Sequence, residues 1–324
     1  MSSLRILLRS LAVAGLSAAL LAPATVARAE PTPAELTKQI EKSSTELERI
    51  VESYNKLSEE IKANQTTVAA LQVKIGPLQA QAEQSRADVG AMAVTAYKTG
   101  KLGTAEALLL PGGSGAMMER LGTLDQLTRQ RQETIAGFTS DQRKLIDQKT
   151  RLDATLARQA AQAKQLTIGK KKIETDLKRL YELRRQAYGR ATEAPSPRAK
   201  SSAGSAPAIA GSAGTAVRYA YGAIGKPYVW GADGPSGYDC SGLTLAAWRS
   251  AGKSLPHNAA MQWDATSRVS RSSLQPGDLV FYSGLGHVAL YVGDGQVIDA
   301  PSAGRNVSKR GMNMMPIQGY GRVR

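Results

Sequence analysis

"LVFYSGLGHVALYVGDGQVIDA", residues 279–300, decides how the last third of this chain folds. Short runs rich in Val, Ile, Phe and Tyr are split by "SGLG" and "GDG". β-branched and aromatic residues between glycine turns read as consecutive antiparallel strands. Helical patterns precede them. Val217, Ala220, Tyr221 and Ile224 share one helical face, and "SGLTLAAWRSA" is a second helix, closed by Gly252. "NAAMQWDATS" is a weaker third. Helices first and strands afterwards make an α+β domain of residues 214–324.

Working outward, the 324-residue chain holds one cysteine, Cys240, in "YDCSGLTLAAW". It stands where the second helix begins, and a helix N-terminus favours thiolate over thiol. Arg5 and Arg9 flank a short apolar run that ends in "VARAEP", the layout of a signal peptide over residues 1–29. The apolar stretch is short of the ~20 residues that a spanning helix needs. The mature protein is expected to be exported, cell-wall associated and without a membrane span. A lone cysteine outside the cell cannot pair within its own chain, which points to a reactive thiol. A nucleophilic thiol needs a base, and there are two histidines. His287 opens an apolar strand and is the better base. His257, in the turn "LPHNAA", is expected to be exposed or to cap a helix.

Net charge is +15, which suits polyanions, and an anionic envelope polymer fits an exported protein better than nucleic acid does. Aromatic residues at 5% leave little for base stacking. No metal cluster or phosphate-binding glycine loop is visible, so no cofactor is expected.

Residues 30–192 carry heptads. Ile40, Leu47, Tyr54, Ile61 and Val68 alternate with Leu36, Ser43, Ile50, Leu57 and Asn64, the seam of a coiled coil. Gly76-Pro77 predicts a kink or break. "ALLLP", residues 107–111, is expected to form a short helix capping the far end. A second run, from Phe138 through Leu145, Leu152, Leu166 and Ile173 to Leu180, should fold back as an antiparallel hairpin. Residues 193–213 are nearly all Ala, Ser, Pro and Gly, a linker composition.

Three blocks carry a resemblance. "GKPYVWGADGPSGYDCSGLTLAAW", "PGDLVFY" and "GHVALYVG", in that order, resemble the NlpC-type cell-wall cysteine peptidases, a family with a papain-like core. The resemblance implies that Cys240 is the nucleophile, His287 the general base and Asp299 the third polar residue, commonly histidine in the family. It implies that Tyr228 lines the site and that Asp239 and Ser241 contact substrate, the aspartate meeting a free amine of the stem peptide. It further implies cleavage of peptidoglycan stem peptides, commonly between D-glutamate and a diamino acid such as meso-diaminopimelate. The same fold also supports amidases and acyltransferases. A coiled-coil adaptor that binds wall without cutting is the other alternative. The hairpin is either a spacer, a cover over the groove, or a dock for a membrane complex such as a division-linked ABC transporter.

The strand pattern tests Asp299. A two-residue turn at Asp294-Gly295 would send it to the face opposite His287, because a one-residue slip flips every side chain. A three-residue loop closed by left-handed Gly295 puts Asp299 across from Ala289, diagonal to His287. A bulged hairpin is therefore expected.

Overall fold

The computed structural model describes residues 31–99, 114–194 and 204–324. The expected signal peptide, the "ALLLP" helix and the middle of the linker lie outside the described residues. Helix α1 (Pro33–Thr99) and helix α2 (Ser114–Tyr188) form the long hairpin. Their direction follows from polar ties across the seam. Asn64 Nδ2 donates to Gln162 Oε1 at 2.7 Å, and Ser85 Oγ donates to Asp141 Oδ2 at 2.8 Å. As α1 advances, its partner on α2 retreats, so the helices are antiparallel. Helix α1 passes through Pro77 without a break. Proline removes a single backbone bond there, and α2 packs along α1 on either side of it, as the ties of Asn64 and Ser85 show.

The remaining chain is α3 (Gly211–Ala223), α4 (Cys240–Ser250), α5 (Ala259–Ala265) and six strands. Helix α3 starts at Gly211, inside the stretch whose composition reads as linker. The strands are β1 (Ser267–Val269), β2 (Leu279–Tyr282), β3 (Val288–Gly293), β4 (Gln296–Asp299), β5 (Ser308–Gly311) and β6 (Ile317–Arg322). They form one antiparallel sheet in the order β1-β6-β2-β3-β4-β5. Alternation along the strands sorts the core. Leu279, Phe281, Val288, Leu290 and Ile298 pack with α3 and α4, while Val280, Tyr282, Ala289, Val297 and Met312 form a smaller cluster. The architecture is α+β, a helical hairpin followed by a helix-and-sheet domain.

The hairpin base shares the larger core. Ile40, Leu47 and Val51 of α1 and Ile173 and Leu180 of α2 are buried in the cluster that contains Val217, Leu243 and Leu290. Burying such side chains is worth ~1.5–3 kcal/mol each. The chain after α2 is pinned as well. Arg184 donates to the carbonyls of Ala191 and Gly304, and the Glu193 N–H donates to Gly304 O at 2.8 Å.

Candidate functional site

Asp239 sets up the start of α4. It is the N-cap, and its Oδ1 accepts from the Gly242 N–H at 2.7 Å, which satisfies one of the orphan donors of a helix start. Position 242 tolerates only glycine, because a Cβ there would lie 2.2 Å from the Ala232 carbonyl oxygen. Cys240 is therefore the first helical residue, and it is buried at 1% exposure.

His287 precedes β3, and Asp299 ends β4. Leu290 stands opposite Ile298, with a bulge between Tyr291 and Gly293. Asp294 and Gly295 both take left-handed φ, 51° and 67°. This register puts Asp299 across from Ala289 and next to His287, whose Nε2 lies 2.7 Å from Asp299 Oδ2. A carboxylate only accepts, so the imidazole proton is assigned to Nε2. Burial raises the Asp299 carboxyl, but hydrogen bonds from His287 and Arg310 outweigh it and hold the group below the usual carboxylate range. Arg310 grips Asp299 through both Nε and Nη2.

Residues of α1 lie over this site, and the heptad gave no sign of them. Glu48, Glu52 and Asn55 occur at helical spacing on one stripe, and all are buried. Glu48 Oε1 stands 3.6 Å from His287 Nδ1, and neither atom has a hydrogen-bond partner. Cys240 Sγ donates to Glu52 Oε1 at 3.3 Å and Ser241 Oγ donates to the same atom at 2.6 Å. Glu52 Oε2 accepts from Asn258 Nδ2 at 2.8 Å and from the Ala259 N–H at 2.6 Å. Asn55 Nδ2 donates to Asp239 Oδ2 at 2.9 Å, beside the Gly231 N–H at 2.8 Å.

This packing reverses the expected electrostatics of the thiol. Burial first, and then the carboxyl groups of Glu52, Asp239 and Glu48, push the Cys240 thiol well above its ordinary value, so in this closed arrangement it stays protonated. Burial and the neighbouring Asp239 raise Glu52 to about 7. Burial and Asp299 raise Glu48 as well.

Of the six residues singled out in the sequence, Cys240, Asp239 and Ser241 adjoin one another at the start of α4, and His287 pairs with Asp299. Glu52 links the first group to α1, and Glu48, one helical turn earlier, faces the second. Tyr228 is buried with its hydroxyl unpartnered, and burial, followed by the Asp239 carboxylate, raises it. His257 is neither exposed nor a cap. Its Nε2 sits 2.8 Å from Asp239 Oδ1, while Asn258 caps α5 by accepting from the Met261 N–H at 2.9 Å. The competing attraction is the buried Asp239 carboxylate, which offsets the burial cost and leaves His257 above its usual value. Asn258 carried a signal only in hindsight, as an N-cap residue type before a weak helix.

Residues 225–320 match the model of the NlpC/P60 family. The probable endopeptidase p60 of Listeria grayi is 45% identical over 106 residues, which cover 31% of this chain and 20% of that protein. A probable endopeptidase of Corynebacterium glutamicum is 40% identical over 131 residues, 40% of this chain and 59% of the relative. The chain thus spans less than two thirds of the length of either. The crystal structure of the NlpC/p60 domain of the peptidoglycan hydrolase SagA is 34% identical, with 34% of this chain and 98% of that one covered and a TM-score of 0.33. Residues 225–320, which place the cysteine at the start of a helix, the histidine just before β3 and the aspartate at the end of β4, are thus a segment of this chain that matches the NlpC/P60 family.

Proposed function

We propose that the chain is an exported cysteine endopeptidase that cuts peptidoglycan stem peptides between D-glutamate and meso-diaminopimelate, and that the arrangement described here is its closed resting state. The observation that supports this most is the convergence of three distant segments. Cys240 begins α4, His287 is held by Asp299, and consecutive turns of α1 meet both. Among the described residues no helix is long and apolar enough to cross a membrane, and residues 1–29 read as a signal peptide.

Once α1 withdraws, the chemistry follows from the groups in place. Asp299 holds Nε2–H, which leaves Nδ1 of His287 as the free base. Nδ1 takes the Cys240 proton, and the thiolate attacks the carbonyl carbon of the glutamyl amide. The Cys240 N–H at the helix start is one donor for the oxyanion. The imidazolium then protonates the leaving amine as the C–N bond breaks. Water, deprotonated by His287, hydrolyses the thioester and returns a carboxylic acid and the thiol. Asp239 takes the free amine of the stem peptide, a place that the Asn55 amide donor fills in the closed state. A membrane complex that grips the hairpin, such as a division-linked ABC transporter, is the natural agent of withdrawal.

The test uses the full-length chain with the cover loosened by Glu48→Ala and Glu52→Ala, incubated with purified muropeptides. Mass spectrometry should find newly freed diaminopimelate amines, and Cys240→Ala in the same background should abolish them. Binding of wall without any cleavage would favour the adaptor. Cleavage confined to non-peptide acyl groups would favour an amidase or acyltransferase.

A further inference from the structure

The Glu52 side chain is a carboxylate at the end of two methylene groups, buried at 4% exposure beside the only thiol of the chain. Four donors converge on it: Cys240 Sγ, Ser241 Oγ, Asn258 Nδ2 and the Ala259 N–H. Asn258 also donates to the Glu52 backbone carbonyl at 2.8 Å, so one side chain fixes both ends of the residue. Nothing in coiled-coil packing calls for a carboxylate here. Burying one is costly unless hydrogen bonds offset it, and the catalytic domain supplies every one of those bonds.

The released acid has the same chemistry. Hydrolysis of a thioester on Cys240 leaves a carboxylate with one oxygen next to the sulfur. When the acyl group is a γ-linked glutamate, that carboxylate also terminates two methylenes. We infer that Glu52 is an internal mimic of the glutamyl γ-carboxylate product, and that Ser241, Asn258 and the Ala259 N–H form the subsite that receives this acyl group. Asn258 is thus a substrate-positioning residue as well as a cap. The inference rests on the proposed cleavage of a glutamyl amide and adds to it the groups that read the acyl side.

Three features follow from that subsite. It prefers a carboxylate to a carboxamide, because the Asn258 amide and the Ala259 N–H can only donate, and an amide NH2 on the other side makes the Ser241 hydroxyl and the Cys240 thiol give up the donation they make to Glu52. The product competes with α1 for the same donors, so a peptide ending in a free γ-carboxylate opens the hairpin base as it accumulates. Removal of the Asn258 amide weakens acid binding without unfolding α5 when serine, a good N-cap, replaces it.

The experiment is calorimetric titration of the full-length Glu52→Ala chain with L-alanyl-D-glutamate, and with L-alanyl-D-glutamine, whose γ-group is a carboxamide. The acid is expected to bind at least about tenfold more tightly than the amide, and Asn258→Ser in the same background should erase about tenfold of that affinity. Unchanged thermal unfolding of the Asn258→Ser chain separates lost binding from lost structure. Equal affinity for acid and amide, no dependence on Asn258, or no binding at all would overturn the assignment. The two readings fail separately. If muropeptides are cut at another bond while the acid still binds through Asn258, the cleavage site is wrong and the subsite stands. If the glutamyl bond is cut and Asn258 is indifferent, only the subsite falls.

Discussion

Away from the sheet domain, α1 runs along α2, and off-seam positions of the two helices behave as a heptad says they should: Val73 is 75% exposed, and Ile146 on α2 is 60% exposed. At the hairpin base one stripe of off-seam positions is buried. With Ile40 and Leu47 on the seam, Ser44, Glu48, Val51, Glu52 and Asn55 lie off it, yet all are buried, and Glu48, Glu52 and Asn55 face residues of the sheet domain. The same helix therefore has two jobs along its length. In the distal part, polar seam residues such as Asn64 and Gln162 tie the two helices and fix their register. At the base, off-seam polar residues fill a cleft in another domain. Buried carboxylates are a better marker of that second job than apolar periodicity, because burial without partners is so unfavourable.

The sharpest way to break this contrast is chemical. In a chain opened at Glu48 and Glu52, Cys240→Ala is expected to lower muropeptide cleavage by about a thousandfold or more, the scale on which loss of a nucleophile is felt. Substitutions in the distal seam should leave that cleavage unchanged. Next comes Asp299→Ala, which strips His287 of its orienting partner and leaves the largely buried Arg310 without its carboxylate. A loss of about 3 kcal/mol in denaturant unfolding is expected, together with loss of turnover.

A smaller effect comes from pH. In the closed state Glu52 faces Asp239 and Cys240 of α4 and the amide donors at α5, with His257 and Glu48 close by, and its value of about 7 lies above its ordinary 4.5. The closed form thus holds the proton more tightly than an open form in which Glu52 meets water. Closure is fully favoured below 4.5, weakens by up to about tenfold per pH unit towards 7, and levels off above it. Glu48 shifts in the same direction. Protease protection of the hairpin base should therefore fall as pH rises through that window, and Glu52→Gln should flatten the dependence. Constant protection from pH 5 to 8 in the unmodified chain would contradict the assignment. The smallest effect is expected far from the site: Asn64→Leu should change thermal stability by no more than about 1 kcal/mol and leave protection of the base as it was.

Much of the fold was open to sequence reading because local chemistry and tertiary structure agree. Strands β2, β3 and β4 lie where β-branched runs alternate between glycine turns, and the spacing of His287 from Asp299 constrained the hairpin between them. Strands β1, β5 and β6 were not visible, since "SRV", "SKRG" and "IQGYGR" have no apolar alternation of their own and gain their order by pairing. Pro77 does not end α1, for a related reason: helix pairing on both sides overrides a local breaker. The thiol misled most. A helix N-terminus favours thiolate, but burial, and then carboxyl groups that include Glu52 from a helix nearly 190 residues away in sequence, push the thiol the other way. Glu48, Glu52 and Asn55 look like ordinary solvent-facing residues of a coil until the domain that covers them is in place.

If α1 holds Cys240 closed through Glu48 and Glu52, the sole thiol of the chain reports it directly. Alkylation of Cys240 by iodoacetamide at pH 7 should be slow in the intact protein and about 5 to 150 times faster in the Glu48→Ala, Glu52→Ala chain, the range implied by about 1–3 kcal/mol of lost closure. Equal alkylation rates in the two proteins would contradict it.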